Sequence, residues 1–287
     1  MKNFKIKSYC KINLTLRILK KLDNGYHSIM SLITFCGLHD VILISKIKGP
    51  RDKINFFGKF KKGINKKSNT ITKVLNLFRS NKFLKNQSFK INVKKNIPHG
   101  SGLGGGSSNA ADLMNFFNSN LKLKLSKKKI KKMANKIGFD VPINLERNNT
   151  FITGKENEIL RLNKKFGFNL LIVYPNIVCS TQKIYKKNKK INIIKSKSFF
   201  YKKNKKNFIN FLIKENNDLE KTVVKIYPRV KRTIDFIKFQ KGCHLARITG
   251  SGSACFGIFS NMKNAINAQK LTKIKYPRYW CAVSKSI

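Results

Sequence analysis

Between Ile97 and Phe117 the chain reads IPHGSGLGGGSSNAADLMNFF, with five glycines among the residues from Gly100 to Gly106. Glycine loses more backbone freedom on folding than any other residue. A run this dense needs something that approaches the main chain too closely for side chains. FKINVKK before it alternates as a strand does, and Ala110, Leu113, Met114 and Phe117 after it recur at helical spacing. Asp112 is expected in the first turn of that helix, where the dipole favours a negative charge. The segment reads as strand, glycine loop, helix.

Gly100, Gly102 and Gly105 satisfy the letters of the dinucleotide-binding fingerprint. That motif also needs an acidic residue about 20 positions further on, and the text there is LKLKLSKKKI. A Walker A loop ends in Gly-Lys-Ser or Gly-Lys-Thr, which this loop lacks. The protein-kinase glycine loop requires catalytic-loop and metal-binding signatures downstream, and none follows. Two readings stay open. One is a tight turn that lets strand and helix pack closely. The other, which accounts for more of the residues, is an anion site made of unhindered N–H groups, the hydroxyls of Ser107 and Ser108, and a positive helix terminus.

Lys and Arg total 62 against 12 Asp and Glu, a formal net charge of +50. Such a balance normally points to nucleic acid. Here the excess is mostly Lys and is spread along the whole chain, whereas nucleic-acid sites favour Arg and concentrate charge on one face. It reads as compositional drift of surface positions, with no specific nucleic-acid partner, though an anionic substrate would be attracted. The six cysteines (10, 36, 179, 243, 255 and 281) form no CxxC pair and no metal spacing, as expected of reduced thiols in a cytoplasmic protein. The N-terminus lacks a signal-peptide core. No apolar run approaches the roughly 18 residues of a membrane span. A cytoplasmic monomer or weak homodimer is expected, with no membrane partner.

FKIKSYCKINLTLRIL (from Phe4) reads as one long strand or a pair, followed by a turn at Asp-Asn-Gly in KLDNGYHS. Residues 29–45 are strand-like, and short strands and turns surround Gly49, Gly58 and Gly63. SNTITKVLNLFRS (68–80) has helical spacing. LSKKKIKKMANKIG (125–138) is a second helix, with Ser126 as N-cap and Gly138 as its stop. Residues 150–175 hold strands ending in NLLIVYP. KKNKKINIIKSKSFFYKKNKK (186–206) reads as a mobile or solvated connection. Helix is expected over 217–236 and 263–271, with the glycine-rich RITGSGSACFGIF between them and a last strand near 279–283.

PHGSGLGGGSSNAA resembles the ATP-binding motif of the galactokinase, homoserine kinase, mevalonate kinase and phosphomevalonate kinase superfamily. RITGSGSACFGIF resembles its C-terminal glycine motif. YCKINLTLRILKKLDNGYHSI (9–29) resembles the N-terminal segment of those members that act on a cytidine diphosphate conjugate of methylerythritol. IGFDVP and YPNIVCSTQKIY stand in order between them. The resemblance runs from about residue 6 to residue 260 and is weakest over 186–216.

It implies an α+β, two-domain small-molecule kinase fold. Residues 1–160 would form an ATP-binding domain of the ribosomal-protein-S5-domain-2-like type, with a left-handed crossover. Residues 161–287 would form a ferredoxin-like, substrate-side domain, with the active site in the cleft between. ATP is then the phosphoryl donor and Mg²⁺ its expected companion, without a dedicated protein metal cage. The ATP-binding residues implied are Pro98, Gly100, Ser101, Gly102, Leu103, Gly104, Gly105, Gly106, Ser107 and Ser108, with Asn69 on the adenine side.

Phosphoryl transfer needs an aligned hydroxyl, neutralised charge and a proton acceptor. Asp140, flanked by Phe139 and Val-Pro, reads locally either as that acceptor or as a cap or turn carboxylate. The resemblance matches it to the catalytic Asp. Lys11 reads locally as one strand lysine among many and is matched to the lysine paired with that Asp. Asn13, Tyr26, His27, Thr181 and Tyr185 are the implied substrate contacts. Tyr26 and Tyr185 would stack on cytosine while His27 reads its edge, or they are ordinary packing aromatics. Tyr185 stands where the family typically has Phe. Ser180 and Gln182 stand where it has Pro, which leaves the local loop shape open. Gly250, Ser251 and Gly252 would close the active site, with structural packing their rival reading. His39, His99 and His244 are isolated. The rival functions are another small-molecule kinase of the superfamily, a polyanion-binding protein on a retained kinase fold, and a nicotinamide-binding protein. The Gly25-Tyr26-His27 segment argues against the first.

Overall fold

A computed structural model describes residues 3–23, 27–65, 67–153, 158–188 and 204–287. In chain order the elements are β1 (Asn3–Asn13), β2 (Arg17–Lys21), β3 (His27–Ile47), β4 (Lys53–Phe57), α1 (Thr70–Ser80), β5 (Ser88–Lys94), α2 (Gly105–Asn120), α3 (Lys127–Ile137), a 3₁₀ turn (Pro142–Leu145), β6 (Asn149–Thr153) and β7 (Ile159–Leu162). They continue as β8 (Asn169–Tyr174), α4 (Thr181–Lys187), α5 (Lys205–Lys214), α6 (Glu220–Ile226), α7 (Pro228–Lys238), β9 (Cys243–Ile248), β10 (Cys255–Phe259), α8 (Met262–Lys275) and β11 (Trp280–Lys285). Two compact units interleave along the chain. The first is Met1–Lys11, Leu38–His99 and Gly104–Arg147; the second is Ile12–Gly37, Gly100–Leu103 and Asn148–Ile287.

In the first unit the distal half of β3 pairs antiparallel with β5, from Val41 opposite Lys94 to Ile47 opposite Ser88, and β5 takes β4 in parallel. Alternation sends Ile42, Ile44, Phe89, Ile91 and Val93 to the buried face. Against them lie the apolar stripes of three helices: Ile71, Val74, Leu75 and Phe78 of α1; Leu113, Met114 and Phe117 of α2; Ile130, Met133 and Ile137 of α3. Asn69 caps α1 by accepting from Thr72 N at 2.9 Å, and Ser126 caps α3 by accepting from Lys129 N at 3.2 Å. Both begin where cap chemistry puts them, and Gly138 ends α3 as expected.

In the second unit β11, β8, β10 and β9 form an antiparallel sheet in that order. Every residue of NLLIVY in β8 is buried, as befits a central strand. Leu171, Val173, Val223, Val230, Ile234, Ile237, Ala265 and Ala268 share one apolar cluster, which joins the sheet to α6, α7 and α8. The proximal half of β3 pairs antiparallel with β2 and with β6, which carries β7.

Three sequence expectations change. Helix α2 starts at Gly105, so the glycines themselves are its first turn and Asp112 lies well inside it. There Asp112 pairs with Arg147 at 2.8 Å; burial pushes its carboxyl above the usual range and the guanidinium pulls it back. Residues 217–236 do not form one helix. Pro228 has no N–H and its ring excludes a continuing helix, so α6 stops at Ile226 and α7 begins at Pro228. The last helix runs further than expected, from Met262 to Lys275. Most of the Lys/Asn-rich stretch (189–203), and the Asn-Gly of the early turn, lie outside the described residues. All six cysteines are free. Among the described residues no helix is long and apolar enough to cross a membrane.

A buried ion pair secures the junction from β5 into the glycine loop. Asp40 and Lys95 are 0% and 3% exposed. Lys95 Nζ pairs with Asp40 Oδ2 and donates to Asn109 Oδ1 of α2 at 2.8 Å. Asp40 Oδ1 accepts from Asn96 N at 2.7 Å and Ile97 N at 2.9 Å. Removing one partner of a buried pair strands the other charge, at about 3–5 kcal/mol. Asp40→Ala is therefore expected to lower the unfolding free energy by about that amount in urea titrations. The double change Asp40→Leu with Lys95→Met should recover only the part due to the stranded Lys95 charge, because the N–H groups of Asn96 and Ile97 still lack their acceptor.

Candidate active site

β1 carries Lys11 into the interior, where 3% of the residue is exposed. Its ammonium lies 3.4 Å from the carboxylate of Asp140. Asp140 sits in the turn between Gly138, which ends α3, and Pro142, which opens the 3₁₀ turn. Its side chain is 43% exposed, so the carboxylate is held from one side and open on the other. The stem of Lys11 runs beside Gly104, where a Cβ would stand 2.9 Å from Lys11 Cγ and 3.0 Å from Cε. Gly104 adopts φ 70 and precedes α2 without a side-chain cap. The first N–H groups of a helix have no partner inside it, so this terminus presents donors and positive potential.

The glycine loop is shaped largely by the protein's own packing. A Cβ on Gly102 (φ +83) would lie 2.1 Å from the Thr249 carbonyl oxygen, in the second unit. The loop backbone is also fixed there, with Gly100 O accepting from Cys179 N at 3.1 Å and Ser101 O from Ala254 N at 3.0 Å. Pro98, Ser101 and Leu103 are buried. At Gly102 the missing side chain is accounted for by the protein's own backbone. Gly106 differs: it is exposed, and the atom nearest its missing Cβ is Thr70 Oγ1 at 3.7 Å. Thr70 donates to Gly106 O at 2.8 Å, which brings Asn69, the α1 cap, beside the loop. Ser108 departs from its expected part as a hydroxyl donor to an anion. It is buried, its Oγ donates to Asn144 Oδ1 at 2.8 Å and its N–H to Gly104 O at 2.9 Å.

Within the second unit the structure gathers another set of the expected residues. Asn13 N donates to Thr249 Oγ1 at 2.9 Å and Asn13 Nδ2 to Ser31 Oγ at 2.8 Å. Thr181 and Ser251 share a hydroxyl–hydroxyl hydrogen bond of 2.9 Å. Gly250 and Gly252 have φ 56 and 76, and Asn217 Nδ2 donates to Gly250 O at 2.8 Å. The rings of His27 and Tyr185 lie 5.2 Å apart at a 39° tilt. Burial lowers the His27 pKa, with Lys21 adding to it, so the imidazole is neutral at neutral pH and offers one donor and one acceptor. Tyr26 lies outside the described residues. His99 is not isolated: its Nε2 lies 2.8 Å from Lys62 O, against the turn at Gly63. Sequence reasoning missed Asn144, Asn217 and Thr70. Asn and Thr are too abundant here for any one to stand out, and Ser108, Gly250 and Gly106, to which these three are bonded, lie more than thirty positions away. Among the described residues no three His, Cys, Asp or Glu side chains cluster to hold a metal.

Two family models match this chain: the GHMP kinases N terminal domain over residues 69–145 and the GHMP kinases C terminal domain over residues 205–275. A 4-diphosphocytidyl-2-C-methyl-D-erythritol kinase of Pelagibacter ubique is 38% identical over 288 residues, covering 100% of both chains. The chain belongs to the GHMP kinase family. A second such kinase, from Caldanaerobacter subterraneus, is 32% identical over 99% of this chain and 96% of its own. Among solved structures, a 4-(cytidine 5'-diphospho)-2C-methyl-D-erythritol kinase superposes with a TM-score of 0.73 at 20% identity, over 99% of this chain and all 100% of that one. Homoserine kinase from Cytophaga hutchinsonii superposes at 0.75 with 15% identity, over 100% and 95%. The GHMP kinase fold, α+β in two domains, is thus shared across members that differ in substrate.

The two glycines next to each other in role separate by experiment. Gly104→Ala forces a side chain into left-handed backbone, which costs roughly 1–2 kcal/mol, and pushes on the Lys11 stem. Loss of stability and of turnover together is expected. Gly106→Ala enters the first helical turn without a clash and should leave the urea midpoint unchanged or higher.

Proposed function

We propose that this GHMP kinase transfers the γ-phosphoryl group of ATP to the 2-hydroxyl of 4-diphosphocytidyl-2-C-methyl-D-erythritol, giving the 2-phosphate and ADP in non-mevalonate isoprenoid precursor synthesis. Full-length similarity to curated kinases of that name supports the substrate. The observation that carries the chemistry is the buried Lys11 ammonium set 3.4 Å from an open Asp140 carboxylate. We assign ATP binding to the 1–160 part of the chain and the substrate side to 161–287, joined there by Asn13 and His27 from the interleaved segment Ile12–Gly37; the two family models fall on either side of residue 160.

Asp140 takes the proton of the 2-hydroxyl as its oxygen bonds to the γ-phosphorus, while the bond from that phosphorus to the bridging oxygen breaks and ADP leaves. Lys11 orients the carboxylate and offsets charge on the moving phosphoryl group. The N–H groups at the start of α2, the open backbone at Gly106 and the hydroxyl of Ser107 take the phosphates, with Asn69 at the adenine. Mg²⁺ would enter with the nucleotide and offset the charge of its phosphates; among the described residues no three His, Cys, Asp or Glu side chains cluster to hold it. Asn13, His27, Thr181 and Tyr185 hold the cytidyl substrate. A neutral His27 can both donate to and accept from the base edge, while the Tyr185 ring offers a stacking face worth about 1–3 kcal/mol.

Asp140→Ala is expected to lower kcat by roughly 10²–10⁴-fold, with the folded state intact by circular dichroism. Purified protein supplied with ATP should release ADP with the cytidyl substrate and not with mevalonate or homoserine. Turnover on mevalonate alone would make it a different kinase of the same family, and near-parental turnover in Asp140→Ala would remove that residue from the mechanism.

A further inference from the structure

We infer that Asn144 is the positioning residue that fixes the turn bearing Asp140 onto the first turn of α2, so that the carboxylate and the phosphate-binding helix terminus keep one spacing. The inference rests on the catalytic reading of Asp140 given above. Asn144 and Ser108 are 3% and 2% exposed. The Asn144 carboxamide bridges two groups: Nδ2 donates to the Asp140 backbone oxygen at 2.5 Å, and Oδ1 accepts from Ser108 Oγ at 2.8 Å. A backbone carbonyl can only accept, so the amide orientation is fixed and Ser108 must be the donor. A second amide makes the same tie further along, with Asn115 Nδ2 of α2 donating to Leu145 O at 2.9 Å. The turn itself is closed by Val141 N to Gly138 O and Asn144 N to Val141 O, both at 3.0 Å.

Asp140 has a half-exposed side chain, so side-chain packing does little to fix it and the path of its main chain has to do more. Asn144 grips that main chain at the carbonyl of Asp140 itself. Partners that orient a functional group from behind commonly matter by about 10–100-fold. Since Asn144 acts through Asp140, its effect must vanish when Asp140 no longer works. Residues that function as a unit are non-additive in this way.

The test is a double-mutant cycle in the full-length enzyme, measuring kcat, both KM values and the stoichiometry of bound nucleotide by calorimetry. Asn144→Leu should lower kcat about 10–100-fold, with one nucleotide still bound per chain and both KM values within about twofold. In the Asp140→Ala background the same change should have no further effect on kcat. Asn144→Asp keeps the shape and the acceptor for Ser108 while replacing the Nδ2 donor. It should give the same kcat loss, and it serves if Asn144→Leu does not fold. An equal kcat loss in both backgrounds, or full turnover in both variants while Asp140→Ala is crippled, overturns the inference alone. Near-parental turnover in Asp140→Ala overturns the catalytic reading, and this inference with it.

Discussion

The Asp40–Lys95 pair is the constraint on which the glycine loop depends. An ion pair in the interior is tolerated only when its remaining valences are filled. Here they are filled by the backbone N–H groups of Asn96 and Ile97 and by Asn109. Those three partners lie just past the end of β5, at the entry to the loop and in the second turn of α2. Charge neutrality in the core thus dictates where the loop begins and where its helix lies. The glycines then solve a local problem in between, rather than leaving a flexible hinge.

That view changes what the glycines mean. Glycine density alone is compatible with a ligand or with close packing of the chain. At Gly102 the excluded group is the carbonyl of Thr249, and at Gly104 it is the aliphatic stem of Lys11. Close packing of chain against chain sets the stem of Lys11 beside the N-terminus of α2, while the backbone at Gly106 stays exposed. Within one motif, Gly102 and Gly104 serve the packing while Gly106 is left open.

Much of this was legible in the sequence, for reasons that differ by element. α1 and α3 could be bounded because Asn69, Ser126 and Gly138 carry cap chemistry that acts within three residues. The strands of NLLIVYP and FKINVKK could be read because alternation or continuous apolarity is itself the packing. Lys11 could not be distinguished from its many fellow lysines without the ordered motifs around it, since Gly104 and Asp140, which lie against it, are more than ninety positions away. Asn144, Asn217 and Thr70 were invisible because each is bonded to a group more than thirty positions away: Ser108 Oγ, Gly250 O and Gly106 O. Asp112 was misplaced because glycine is a poor helix former, yet here Gly105 and Gly106 are helical, and what α2 needed at Asp112 was a partner for Arg147.

The extreme basicity also sharpens the reading of the acids. In a chain holding 12 carboxylates against 62 cations, each retained acid has many possible partners, so what matters is how it is held. Asp40 is enclosed with Lys95; Asp52, Asp112 and Glu215 are 11%, 8% and 12% exposed beside Arg79, Arg147 and Arg17. These are structural ties with the carboxylate inside. Asp235 is the reverse, a surface pair with Lys231 in which both are open, the kind of contact that contributes little. Lys11 and Asp140 fit neither pattern. The cation is buried while the carboxylate remains accessible. That asymmetry stabilises little, because the open partner stays solvated. It makes sense where a carboxylate must be aimed and yet meet a hydroxyl that arrives from outside.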